Sequence, residues 1–144
     1  MTRIVVVGAG GLLGRALLQV FESRGDEVIG LTHADVELTD PDSLEAIRTS
    51  RPGVVVNAAA WTDVDGCARD PDRAMRINGV GPGVVARVAA EAGALVIQVS
   101  TNEVFDGLER RTYLEDDATN PINPYGASKL AGEREAGPAA TIVS

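Results

Sequence analysis

Cysteine, histidine and lysine each occur once in these 144 residues, as Cys67, His33 and Lys129. A lone cysteine excludes an internal disulfide and any multi-cysteine metal site, and a single histidine leaves little for metal chemistry, so no metal is expected. Aromatic residues make up only 3% of the chain. Its apolar content is instead Val, Ala and Leu, the palette of helices packed on a parallel sheet. No apolar run approaches the roughly twenty residues of a membrane span, and residues 4–7, cut short by a glycine, are too few for a secretory signal. These features predict a cytoplasmic chain without a membrane partner. The net charge is −8 with scattered basic residues, which argues against a nucleic-acid surface.

What is present is ordered. Residues 3–7 form a short β-branched apolar run, read as a buried strand. Gly8-Ala9-Gly10-Gly11-Leu12-Leu13-Gly14 follows at once, and residues 15–23 carry Leu17, Leu18 and Phe21 at helical spacing. A strand, a glycine turn and a helix in this order suit a dinucleotide. Gly8 permits the turn, Gly11 lets backbone approach a pyrophosphate, and Gly14 lets helix and sheet close. Residues 27–31 read as a second strand. It runs into Thr32 and His33 with no carboxylate before Asp35, which relaxes rejection of a 2′-phosphate. That favours NADPH, with NADH also open, and Arg15 is a candidate phosphate contact, whereas His33 reads as a plain loop residue.

Asp40-Pro41 reads as the start of a helix with Leu44 and Ile47 on its buried face. Residues 54–57 are a third strand, ending in Ala58-Ala59-Ala60-Trp61-Thr62, where small residues let a flat ligand lie against backbone. Helices are expected over residues 70–77 and 84–92, weakly joined through Gly79, Gly81 and Gly83. Asn78 at the join is placed to fix a backbone carbonyl or a water. Residues 95–99 are a fourth strand ending in Ser100-Thr101-Asn102-Glu103. Residues 105–122 form a long polar loop of the kind that serves a site or a partner. A helix then runs from Pro124 to about residue 136, and residues 141–143 are a fifth strand. The expected architecture is a doubly wound α/β Rossmann sheet with strand order 3-2-1-4-5.

Within the last helix, Asn123 can cap and Pro124 suits the first position. Tyr125 and Lys129, the sole lysine, then share a face at i and i+4. An ammonium beside a phenol favours phenolate, which would lower the Tyr125 pKa and suit it to general acid–base work near neutrality.

Taken together, GAGGLLG from Gly8, VNAAAWTDVD around Asn57, RIN ending at Asn78, VSTNEVFDG around Thr101 and NPINPYGASKLAGE around Tyr125 resemble the extended short-chain dehydrogenase/reductases. Within them, the chain resembles the dTDP-4-dehydrorhamnose reductase family of sugar-nucleotide 4-ketoreductases. The resemblance implies hydride transfer from a nicotinamide to the C4 keto group of a nucleotide-linked 6-deoxysugar. It implies that Tyr125 supplies a proton and Lys129 holds the nicotinamide ribose and lowers the phenol pKa. Thr101 and Asn102 would face the substrate. Gly8, Gly11, Leu12, Leu13 and Gly14 would lie along the pyrophosphate, Ala58, Ala59, Ala60, Trp61 and Thr62 beside the cofactor, and Glu37 and Leu38 at the adenine. A non-catalytic nucleotide-binding module, or a nucleotide-sugar epimerase or dehydratase, are the alternatives, and a homodimer is left open. Two departures stand out. The family commonly reads S-T-D-Y where this chain has Ser100-Thr101-Asn102-Glu103. Members also continue past the fifth strand into a smaller substrate portion, so residues 1–144 are expected to be an NAD(P)-binding domain truncated at its C-terminal end.

Overall fold

A computed structural model describes residues 2–144. Five strands, β1 (Arg3–Val7), β2 (Glu27–Leu31), β3 (Val54–Asn57), β4 (Leu95–Val99) and β5 (Thr141–Val143), form one sheet in which every pairing is parallel. All five coincide with the stretches read from the sequence. The two-residue alternation of β1 explains the layering: Val5 and Val7 join one buried cluster while Ile4 and Val6 join another. Helix α1 (Leu12–Ser23) supplies Leu17, Leu18 and Phe21 to the second cluster. The first is closed by Leu44, by Ile47 of α2 (Glu45–Ser50) and by Val84, Val85 and Val88 of α5 (Gly81–Glu91).

The strand order is β2-β1-β3-β4-β5, not the expected 3-2-1-4-5. The third strand pairs with β1 instead of extending the sheet beyond β2. Its cause lies in the segment after β2, which is folded into turns and leaves no strand to add at that edge. Asp35 accepts from the Thr32 backbone N–H and hydroxyl, both at 2.7 Å, and the Ser43 hydroxyl accepts from the Glu37 N–H at 2.9 Å. The chain therefore returns through α2 to the other side of β1. This places the topological switch point between β1 and β3, where a parallel α/β sheet opens a crevice at its carboxyl edge.

Pro41 does not begin a helix. The Asp40 carboxylate accepts from the Asp42 N–H at 3.0 Å and holds a turn, so α2 starts only at Glu45. A further helix not foreseen, α3 (Val64–Arg69), is capped by Asp63, whose carboxylate accepts from the Gly66 N–H at 2.9 Å. The weak join expected at Gly79, Gly81 and Gly83 is also absent. Helix α4 (Pro71–Ala74) passes through a π-helical segment, Met75–Val80, directly into α5. These glycines are contact points: a Cβ at Gly79 would meet Met75 and Ala131, and one at Gly83 would meet Glu135. Helix α6 (Pro124–Ala136) packs against that π segment and α5, with Asn123 as its cap at 2.7 Å from the Gly126 N–H. The loop between β4 and α6 begins with a 3-10 turn (Asn102–Val104) and is organised by its own side chains. Phe105 stacks on Tyr113 at 4.4 Å between ring centroids, and Arg111 grips Asp117 through two contacts of 2.7 Å. Among the described residues no helix is long and apolar enough to cross a membrane.

Candidate active site

The glycine turn is built by close approach. Gly8 has φ +85°, and a Cβ there would lie 2.6 Å from the Ala59 nitrogen, so the turn after β1 touches the end of β3. A Cβ at Gly14 would lie 2.1 Å from the Gly8 carbonyl, which leaves room for hydrogen alone. The α1 N-cap, Gly11, offers no side-chain cap, and the first turn carries no acidic residue. Unclaimed amide groups and the positive dipole end of α1 therefore face the crevice, an arrangement suited to phosphate.

Two adjoining cavities form one groove along the carboxyl edge of the sheet. The first, about 460 Å³, is lined by Gly8, Gly11, Glu37, Leu38, Ala58, Ala59, Ala60 and Trp61 among others. The second, about 340 Å³, is lined by Leu12, Leu13, Gly14, Thr62, Ser100, Tyr125 and Lys129, and shares Gly11, Ala58 and Ala60 with the first. Every residue that the family resemblance places at the cofactor thus lines the groove. Thr101 and Asn102 do not line either cavity. Thr101 is the residue after Ser100 at the rim, where its hydroxyl accepts from the Glu103 N–H at 3.3 Å. Asn102 is exposed.

Several lining residues were not foreseen, three of them polar or charged. Arg73 of α4 stacks its guanidinium 4.2 Å from the Trp61 ring centroid and lines the first cavity. Its cationic head is invisible as a site residue in a helix rich in charge. Thr32 and His33 line the same cavity, so His33 is not the plain loop residue expected, while Asp35 is turned away into its hydrogen bonds with Thr32. Those bonds hold the Asp35 carboxyl below the ordinary carboxylate range. Arg15, the anticipated phosphate contact, donates to the Gly10 carbonyl at 2.9 Å and lines neither cavity.

Helix α6 is buried on the face that carries Tyr125 and Lys129. Tyr125 is 9% and Lys129 5% exposed. The expected lowering of the Tyr125 pKa is not seen. Burial, which disfavours phenolate, pushes the phenol above its ordinary value; a hydrogen bond with the Thr101 side chain opposes this, and the Glu103 and Cys67 charges add to it. The Lys129 amine is directed elsewhere, donating to the Val99 carbonyl at 2.7 Å. Burial lowers its pKa to about 8, with Glu133 pulling the other way. The Glu133 carboxylate is itself engaged by the Ser100 hydroxyl. Asn78, in the π segment, clamps the Trp61 backbone and donates to the Ser128 hydroxyl of α6 at 3.1 Å.

A switch-point groove joining a glycine turn to a Tyr-x-x-x-Lys helix defines the short-chain dehydrogenase/reductase type of dinucleotide domain. The chain belongs to the family whose model is described as the RmlD substrate binding domain, matched over residues 1–143. It is 42% identical over 133 residues to dTDP-4-dehydrorhamnose reductase of Mycolicibacterium smegmatis, covering 92% of this chain and 40% of that one. It is 43% identical to the reductase of the same name from Streptomyces griseus, covering 92% and 44%. The crystal structure of dTDP-4-dehydrorhamnose reductase from Bacillus anthracis in complex with NADP superposes with TM-score 0.92 at 30% identity, over 98% of this chain and 52% of that one. The chain thus spans about half the length of the relatives it matches.

Proposed function

We propose that these residues form the cofactor-binding, proton-donating part of an NADPH-dependent reductase. Its substrate would be the 4-keto group of a nucleotide-linked 6-deoxysugar. The observation that carries this reading is the meeting of Tyr125 and Lys129 with the glycine turn in one groove. The cradle fits a dinucleotide: a Cβ at Gly8 or Gly14 would collide with the backbone that shapes it, and the α1 N-terminus is uncapped. NADPH over NADH is supported by the engaged Asp35, which leaves no competing carboxylate from the end of β2, and by the Arg73 guanidinium and the His33 imidazole in the adenosine-side cavity. The B. anthracis relative holding NADP points the same way.

When bound, NADPH supplies a hydride to the carbonyl carbon. The chain's own residues do the rest. Gly8, Gly11, Leu12, Leu13 and Gly14 hold the pyrophosphate; Glu37, Leu38 and Ala58 to Thr62 flank the remainder of the cofactor. Thr101 and Asn102 face the sugar, with Thr101 orienting the keto oxygen. The Tyr125 phenol gives its proton to the nascent alkoxide, and its raised pKa keeps it protonated before that moment. Lys129, whose burial lowers its pKa to about 8, supplies positive charge that steadies the phenolate once an anionic cofactor favours the ammonium.

The test pairs binding with turnover. NADPH should quench the fluorescence of Trp61, the only tryptophan. Consumption of NADPH with a dTDP-4-keto-6-deoxysugar should fall about 10²–10⁴-fold in Tyr125→Phe. Equal rates would remove Tyr125 from the mechanism. Binding without turnover on any keto-sugar would favour a nucleotide-binding module, and failure to bind NADPH would end the reading.

A further inference from the structure

We propose that Glu103 is a positioning residue for Tyr125, latching the N-terminus of α6 to the Thr101 turn and presenting a negative charge to the phenol. It rests on the reading of Tyr125 as proton donor, but its geometry stands apart from that reading. The Glu103 carboxylate accepts from the Asn123 side-chain amide at 2.6 Å. Asn123 in turn caps α6 through the Gly126 N–H. From the same residue, the Glu103 N–H donates to the Thr101 hydroxyl at 3.3 Å. The Glu103 carbonyl also lies so close to Gly126 that no side chain fits there, a Cβ falling 2.3 Å from it. One residue therefore touches the substrate-side threonine, the helix cap and the turn of helix that begins with the tyrosine.

A glutamate at this position is not neutral. A tyrosine here, as the family commonly has, would carry no charge at neutral pH. A carboxylate beside a buried phenol disfavours phenolate, so Glu103 joins burial in holding the Tyr125 proton. The other groups facing this phenol are Thr101 on the same turn and Cys67 of α3; Lys129 and Glu133 are charged neighbours along α6 itself. Glu103 consequently links helix position and phenol acidity, which a purely structural cap would not do.

The experiment uses the two tyrosines, Tyr113 and Tyr125, as their 3-fluoro analogues, whose phenols are intrinsically more acidic. Fluorine NMR follows each one against pH, with Tyr113→Phe assigning the resonances. Glu103→Gln keeps an acceptor for Asn123 and removes the charge. The Tyr125 midpoint should fall in this variant while the Tyr113 midpoint stays put. Glu103→Ala should in addition lower the thermal midpoint, because Asn123 loses its latch. Equal Tyr125 midpoints with and without the charge would overturn the proposal. None of these readouts needs turnover, so they remain decisive even if the reductase reading fails. In an active enzyme the alkaline limb of the kcat profile should move to lower pH in Glu103→Gln.

Discussion

The side-chain amide of Asn78 pairs with both backbone polar groups of Trp61, accepting from its N–H at 2.8 Å and donating to its carbonyl at 2.9 Å. The second amide hydrogen reaches Ser128, whose hydroxyl donates to the Tyr125 carbonyl at 2.8 Å. The loop that ends β3 is thereby fastened to the helix bearing the phenol. The π-helical segment earns its place here, since it turns Asn78 fully inward at 1% exposure.

Replacing Asn78 by Ala should strand the Trp61 N–H, leave the Trp61 carbonyl with only the Cys67 thiol at 3.5 Å, and take one donor from Ser128, which keeps its bond to the Tyr125 carbonyl. Unsatisfied buried groups of this kind destabilise by about 1–3 kcal/mol each, partly relieved by water, so a total near 3 kcal/mol is expected. Urea unfolding followed by Trp61 emission measures it. An unchanged midpoint would show that the loop holds its shape without the clamp.

Gly14→Ala should be more damaging than its size suggests. The added methyl would fall 2.1 Å from the Gly8 carbonyl, and that carbonyl belongs to a turn already pinned against Ala59. Overpacking into backbone costs about 1–3 kcal/mol and sometimes more. Because the displaced turn is the proposed phosphate cradle, NADPH binding should be lost at temperatures where the variant is still folded. Circular dichroism melts and NADPH titration separate the two effects. Full affinity in a folded Gly14→Ala protein would show that the cradle tolerates the shift.

How far the sequence disclosed this arrangement depends on what kind of signal each part leaves. The strands were legible because buried parallel strands are short β-branched runs bounded by breakers, and the glycine turn because its geometry admits no other residue. The strand order was not, since nothing local says on which side of β1 the third strand will pair. That follows from the turns around Asp35 and Ser43, which are side-chain hydrogen bonds without periodicity. Pro41 misled because an Asp-Pro pair opens turns as readily as helices. The glycines at 79, 81 and 83 misled because propensity marks a break where packing needs small residues, against α6 at Gly79 and Gly83 and against Leu38 at Gly81. Arg73 and His33 gave no signal at all; their place in the groove comes from tertiary contact. Glu103 was visible as a departure, but its link to Asn123 spans twenty residues and a loop.

Arg73→Leu should weaken NADPH binding while leaving the fold intact. The guanidinium lies over Trp61 and borders the first cavity. Removing it takes away a cation–π contact of about 0.5–1 kcal/mol and a positive charge facing an anionic cofactor. A loss of about 3–10-fold in NADPH affinity is expected, larger at low ionic strength than at high. Fluorescence titration at two salt concentrations provides the measurement. A salt-independent loss would assign Arg73 a packing role only.

Lys129 gives stability an unusual dependence on pH. Its amine titrates near pH 8 in the folded chain, against an ordinary 10.5, because burial opposes the charge. Between those values the unfolded chain carries a proton that the folded chain has released, so stability rises with pH across that window. Below about pH 8 both states are charged, and the burden of the buried ammonium is present in full. The gap corresponds to about 3 kcal/mol, an upper figure for one side chain. Lys129→Met should therefore be more stable than the unmutated chain at pH 7, with the difference shrinking toward pH 10.5. Taking that difference also cancels the opposing contribution of Tyr125, whose raised pKa makes the folded chain retain a proton above pH 10. The same variant should lose turnover, since it lacks the cation that steadies the phenolate. Denaturant unfolding of both proteins across this range provides the check. A constant difference would mean that the Lys129 ammonium is accommodated in the groove at no cost.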